Sequence, residues 1–170
     1  GELSSTAVNQ LGQRNIDLTI TCTAATKVAW NMIDDRADSN AGLTVSAGTF
    51  TGGAQSATNQ TYGVGKAGTV NIGSYAMFMK VNSVTADGKS VDPIYQQNGS
   101  TTWAKSTDGS SQGENNRNIT VALAGSIDPL AFQTATFPLV TSQAIQNTTT
   151  LAITDDTRLD GQLTISLKYL

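Results

Sequence analysis

"NIDLTITC", residues 15–22, is the stretch that decides the fold class. Its apolar residues Ile16, Leu18, Ile20 and Cys22 alternate with polar ones, so they share one face of an extended chain. An apolar period of two residues is typical of a β-strand with one face against a core. This stretch therefore predicts a half-buried strand.

The same alternation closes the chain. In "LTISLKYL", residues 163–170, the side chains of Leu163, Ile165, Leu167 and Tyr169 lie on one face. Apolar or alternating runs predict further strands at 28–33, 43–45, 75–81, 117–123, 131–140 and 150–153, and Pro138 is expected to mark an edge or the end of the strand at 131–140. No helical period is long enough for a firm helix, and residues 142–146 would form one turn at most. The pattern predicts an all-β sandwich.

Composition restricts the function classes. The chain has 170 residues, 14% charged residues and a net charge of -3, which suits one domain over residues 1–170 and does not favour nucleic acid or an anionic membrane. No apolar run approaches the ~20 residues of a membrane span. There is no histidine and only one cysteine, which excludes His-based triads and intrachain disulfides.

"GVGKAG", residues 63–68, has the glycine spacing of a dinucleotide-binding loop. Such a loop follows an apolar strand and opens a helix, whereas a polar run precedes Gly63 and an alternating segment follows Gly68. We interpret the glycines as turn residues within β structure and expect no cofactor. Asp87, at the spacing of a ribose ligand, belongs to an Asp-Gly hairpin signal with Gly88.

Several polar and aromatic residues are candidates for sites. Aspartates in two clusters could hold calcium or act as a carboxylate pair, but solvated turns are the simpler interpretation; they are Asp34, Asp35 and Asp38, and Asp155, Asp156 and Asp160. Trp30 alternates with core positions and is predicted to be buried. Trp103 lies beside residues 105–116, a predicted exposed and mobile loop, and is a candidate receptor contact.

Three segments carry a family resemblance: "LTITCTAATKVAWNMIDDRADS" (18–39), "YGVGKAGTVNIGSYAMFMK" (62–80) and "LDGQLTISLKYL" (159–170). Together they resemble the pilin subunits of bacterial chaperone–usher fimbriae, and most closely a fimbrial family once described only as a domain of unknown function. The shared features are a strand that ends in cysteine before an Asp-Arg turn, an aromatic-Gly-x-Gly segment, and a terminal alternating strand with a penultimate tyrosine.

The resemblance implies an immunoglobulin-like Greek-key sandwich that lacks its final strand. A periplasmic chaperone, and later a neighbouring subunit, would fill the groove by donor-strand complementation, with Leu163, Ile165, Leu167 and Tyr169 along one wall. The implied function is a structural subunit of a surface fimbria that supports adhesion, a homopolymer secreted through an outer-membrane usher. No enzymatic activity, nucleic-acid binding or membrane span is expected.

The resemblance also implies that Cys22 pairs with a cysteine upstream of Gly1, and that a donor extension precedes that cysteine. Neither precedes Gly1 here, so either this chain is trimmed or the missing segment lies in another molecule. Gly161 lies nearer the end than the corresponding pilin glycine, so chaperone contacts transfer in outline only. Two alternatives stay open. One is a tip adhesin for a carbohydrate or protein receptor, and the other is a secreted hydrolase or lectin of similar architecture.

Overall fold

A computed structural model describes residues 2–152, 159 and 161–170, and strands dominate this part of the chain. The strands are β1 Asn9–Thr26, β2 Val28–Asp34, β3 Tyr62–Gly63, β4 Lys66–Ala67, β5 Val70–Asn71, β6 Gly73–Met79, β7 Thr85–Ala86, β8 Lys89–Ser90, β9 Asp92–Gln97, β10 Ala104–Lys105, β11 Arg117–Ala122, β12 Phe132–Ile145 and β13 Leu163–Tyr169. Helical structure consists of α1, Thr148–Leu151, and two 3-10 turns, Ala37–Ser39 and Val81–Ser83.

The strands form two main antiparallel sheets. The first has the order β3-β6-β12-β7-β8, and β1 pairs with the other side of β12. The second has the order β10-β9-β11-β2-β13, and β4 and β5 form a separate hairpin. The all-β prediction is confirmed, and the two packed sheets agree with an immunoglobulin-like sandwich.

The core lies between the two sheets. Trp30 of β2 is fully buried and meets Phe137 of β12 edge-on, with ring centroids 5.5 Å apart. Ile119 of β11 and Tyr62 of β3 are also fully buried in this cluster. The prediction that Trp30 is a core residue is therefore confirmed.

The predicted edge or end of a strand at Pro138 is wrong. Pro138 lies inside β12, which has β1 on one side and two successive partners on the other. On that second side, Thr136 pairs with β7 and Leu139 pairs with β6, so Pro138 falls where one partner gives way to the next. On that side the Pro138 carbonyl accepts the Lys80 N–H at 2.8 Å, and Lys80 lies just beyond the end of β6, so the missing N–H of Pro138 falls between the β6 and β7 ladders.

The predicted mobile loop at residues 105–116 is also wrong for its central part. Met79 donates its backbone N–H to Gly109 at 2.8 Å, and Ser111 donates its own to Met77 at 3.1 Å. This segment therefore covers the free edge of β6, and Gly109 and Ser111 are buried. Its serines and glycines fit a close approach of two backbones, which composition alone made look like a solvated loop.

Other boundaries shift for local reasons. At the expected strand 43–45 the structure has only a single β-bridge, from Val45 to Gln55. The expected helical turn at 142–146 is instead the end of β12, which continues to Ile145. The strand predicted at 75–81 ends at Met79. The strand predicted at 150–153 is wrong for residues 150 and 151, which end the helix Thr148–Leu151, whose first turn is capped by the Asn147 side chain accepting the Thr150 N–H at 2.7 Å. Residue 153 lies outside the described residues.

The Asp-Gly hairpin is confirmed. Asp87 and Gly88 both have positive φ, 51° and 77°, between the paired strands β7 and β8. Asp87 accepts from the backbone N–H groups of Gln133 and Thr134, which ties the turn to β12.

Candidate functional site

The two sheets each end in a strand with an open outer edge. Among the described strands, β1 pairs with β12 only and β13 pairs with β2 only. Residues of both strands line the same cavities, so the two open edges face each other across a groove. We call this the β1–β13 groove.

One half of the β1–β13 groove is apolar. It holds a cavity of about 250 Å³. Ile16 and Leu18 of β1 form one wall, and Leu163 and Ile165 of β13 form the other. The remaining lining residues are Asp17, Met32, Tyr75, Met77, Leu139 and Thr141. This half suits large apolar side chains.

The other half is more polar. A second cavity of about 250 Å³ is bordered by Ile20 and Cys22 on the β1 side, and by Leu167 and Tyr169 on the β13 side. Val28, Thr21, Thr23 and Thr26 complete its lining. A side chain entering this half meets hydroxyl groups as well as carbon.

The apolar faces of β1 and β13 that border the groove are only partly buried. Ile16 is 61% exposed, Ile165 41%, Leu167 47% and Tyr169 73%, although Ile20 on the same face of β1 is only 5% exposed. The alternation predicted from the sequence is present, but the expected burial of Ile16 is wrong. No described strand covers that part of the face.

The β13 wall is fixed along its length. Its register with β2 runs from Leu163 opposite Asp34 to Tyr169 opposite Val28. The Thr164 hydroxyl donates to Asp35 Oδ2 at 2.7 Å near the start, and the Leu170 N–H donates to the Lys27 carbonyl at 3.0 Å at the end. The wall is therefore pre-formed, which lowers the entropic cost of binding another strand.

Asp34 links the two sheets at the apolar end of the groove. Its carboxylate accepts the backbone N–H of Gly63 in β3 at 2.8 Å and that of Arg36 at 2.9 Å. Burial raises the pKa of Asp34; the two hydrogen bonds lower it, and the neighbouring charges of Asp35 and Asp38 raise it further. The solvated-turn interpretation is therefore wrong for Asp34, which is 5% exposed.

Gly63 is required by close packing. A Cβ there would overlap the Arg36 carbonyl oxygen and lie 2.5 Å from Ser39 Oγ. Ser39 Oγ also accepts the Gly65 N–H at 2.9 Å, so Gly63 and Gly65 both contact the turn at residues 36–39. Residues 63–68 run from β3 into the β4–β5 hairpin, which agrees with the interpretation of these glycines as turn residues within β structure.

The remaining predicted site residues lie apart. Asp38 is exposed, 3.9 Å from Lys66, and the described residues contain no group of acidic residues, His and Cys arranged to hold a metal. Asp155, Asp156 and Asp160 lie outside the described residues. Within the described residues Cys22 forms no disulfide, so its pairing upstream stays a prediction.

Trp103 is half-buried, just before β10, in the second sheet and away from both groove cavities. Its role as a receptor contact stays a prediction. Sequence reasoning placed only β13 in the groove and missed Ile16, Leu18 and Ile20 of the opposite wall. The same alternation in β1 was visible, but which sheet edge it occupies depends on pairing across more than a hundred residues.

No helix in the described part of the chain is long and apolar enough to cross a membrane.

Comparisons with known proteins give a family without an assigned activity. Residues 1–76 match the family described as "Protein of unknown function (DUF1120)". The chain is 30% identical to "Protein GltF" of Escherichia coli K12 over 180 residues, which covers 95% of this chain and 71% of that protein. It is 31% identical to "Uncharacterized protein YhcF" of the same strain over 184 residues, covering 99% and 76%. No solved structure matches it.

Proposed function

The chain belongs to the DUF1120 family, and we propose that it is a structural subunit of a chaperone–usher surface fimbria that assembles by accepting a β-strand in the β1–β13 groove. The observation that carries the proposal is the groove itself. Two strand edges without partners among the described strands face each other, with large apolar side chains exposed between them.

Such an edge pair has a physical reason to bind a strand. An open edge presents unpaired N–H and C=O groups, and an added strand pairs with them while its side chains enter pockets at alternate positions. Here the backbone of β13 supplies the edge, and the two cavities supply the pockets. Backbone pairing would give affinity, and the pockets would give specificity.

The occupants follow from the proposed assembly. In the periplasm a chaperone strand would cover the groove, and after passage through an outer-membrane usher a neighbouring subunit would replace it. The resemblance of segments 18–39, 62–80 and 159–170 to fimbrial pilins supports this order. The function is structural, with no catalytic step, and the mature location is the bacterial cell surface.

The test is assembly in cells. Replacing both Ile165 and Leu167 by Ser should abolish chaperone capture and lead to degradation of the subunit, because both side chains lie on the groove wall. Lys168→Ser, on the opposite face of the same strand, is the matched control and should leave capture unchanged. Wild-type amounts of fibre from the double variant would overturn the proposal.

A further inference from the structure

The open edge of β13 carries backbone groups without strand partners. The Leu170 N–H donates to the Lys27 carbonyl, and the Gln162 carbonyl accepts the Asp35 N–H, so even-numbered residues direct their backbone groups toward β2. Bonding alternates along an antiparallel ladder, so the odd-numbered residues of β13 direct theirs toward the open edge. Among the described strands, none pairs with that edge.

The charge on this edge restricts which strand can pair with it. Ile165, Leu167 and Tyr169 are exposed on the groove face, and Lys168 is exposed on the outer face. A lysine on an edge strand opposes pairing unless the incoming strand brings an acidic group to it. Within the described residues, Lys168 has no ion-pair partner. A suitable partner strand therefore carries a carboxylate on its outer face and apolar side chains on the other.

The chain itself meets both conditions. At the start of β13 the Thr164 hydroxyl donates to Asp35 Oδ2 at 2.7 Å, which holds an exposed carboxylate beside the outer face of the strand. Lys168 lies near the other end of the same face. A strand with a negative start and a positive end is complementary to an antiparallel copy of itself.

One antiparallel register overlaps two copies of β13 in full. It places Ser166 opposite the same serine of the second copy on a two-fold axis, Ile165 opposite Leu167, and Thr164 opposite Lys168. Ile165 and Leu167 both belong to the odd-numbered set, so the outward N–H and C=O groups of the two strands meet. Each Lys168 then lies beside the Thr164–Asp35 pair of the other copy.

From this complementarity we propose that two copies of the chain, each with an empty groove, form a closed dimer through their β13 edges, with two symmetric Lys168–Asp35 ion pairs. The same surface is used by both copies, so the dimer closes and does not extend into a fibre. This goes beyond the assembly role, because the second copy occupies the edge that an incoming strand needs. The dimer thus keeps unassembled subunits from accepting a strand until the second copy leaves.

The test is sedimentation velocity of the full chain over a range of concentrations. Lys168→Glu and Asp35→Lys should each weaken dimerisation by about twofold to thirtyfold, because each removes two exposed ion pairs. An equimolar mixture of the two variants should dimerise as tightly as wild type, because each substituted side chain then faces its opposite charge. Lys89→Glu makes the same charge change on β8 of the other sheet and should leave dimerisation unchanged. Urea unfolding checks that each variant is folded.

A wild-type chain that is monomeric throughout, or that forms only larger aggregates, would overturn the proposal. So would a dimer that both charge variants leave intact, or a mixture that dimerises no better than either variant alone. Neither substitution changes the groove face of β13. Loss of the dimer is therefore distinguishable from loss of strand capture, which Ile165→Ser and Leu167→Ser test.

Discussion

Replacing Ile16 by Ser tests whether a partner strand enters between the two sheets or only extends the second one. Ile16 lies on the β1 wall of the β1–β13 groove and Ile165 lies on the β13 wall. A strand inserted between the walls covers both side chains. A strand that merely pairs with the outer edge of β13 leaves Ile16 in water.

The expected magnitude follows from exposure. Ile16 is 61% exposed, and full burial of such a side chain is worth about 1.5–3 kcal/mol, so covering it should contribute about 0.9–1.8 kcal/mol. At about 1.4 kcal/mol per tenfold, Ile16→Ser should weaken strand binding about fivefold to twentyfold. By the same reasoning, covering Ile165, which is 41% exposed, should contribute about 0.6–1.2 kcal/mol, so Ile165→Ser should weaken strand binding about threefold to eightfold.

The assay is calorimetric titration with a synthetic peptide of about ten residues that alternates valine and threonine, the pattern of a half-buried strand. Asn15→Ser is the matched control, because its side chain lies on the other face of β1. Urea unfolding without peptide checks that each variant is folded. Equal affinity of Ile16→Ser and wild type, alongside weaker binding by Ile165→Ser, would refute insertion between the sheets.

Three further predictions concern the framework. Gly63→Ala should lower the free energy of unfolding, measured in urea titrations, by about 1–3 kcal/mol or more, because the new Cβ would overlap backbone atoms. Gly12→Ala, which has open space around it, should leave the free energy of unfolding unchanged, and equal stability of the two variants would contradict the prediction. The pKa of Asp34 is raised in the fold, so its contribution to stability is fully present below pH ~4 and is lost as pH rises through the raised value. As pH rises, wild type should therefore lose stability relative to Asp34→Asn. A difference in unfolding free energy between the two that does not change with pH would argue against this. In the protein isolated from its native source, non-reducing peptide mapping should show Cys22 joined to a cysteine upstream of Gly1, and a free Cys22 thiol would oppose that prediction.

Local alternation was sufficient to predict the strands that matter most. The faces of β1 and β13 follow from residues 15–22 and 163–170, and the burial of Trp30 follows from its phase with its neighbours. Local chemistry was also sufficient for the Asp87-Gly88 turn. These features depend on contacts within a few residues along the chain.

Long-range pairing explains what the sequence did not reveal. Residues 109–111 have the composition of a solvated loop, and only their backbone hydrogen bonds to the free edge of β6 bury them. A proline usually marks a strand edge or end, and Pro138 fits inside β12 only because the pairing with β7 stops and the pairing with β6 begins there. The second groove wall depends on the pairing of β1 with β12, and the buried link from Asp34 to Gly63 depends on contact between the two sheets.

The most direct test of the account is the stability of residues 1–170 with and without a strand in the groove. A fusion in which the valine–threonine segment follows Leu170 through a flexible glycine–serine linker supplies the strand, and the same fusion with its valines changed to serine is the control. The account predicts that the first fusion is monomeric and unfolds at higher urea than both the control fusion and the unfused chain, which should be marginal or aggregated. An unfused chain that is monomeric, unfolds cooperatively at high temperature and gains nothing from the segment would contradict it.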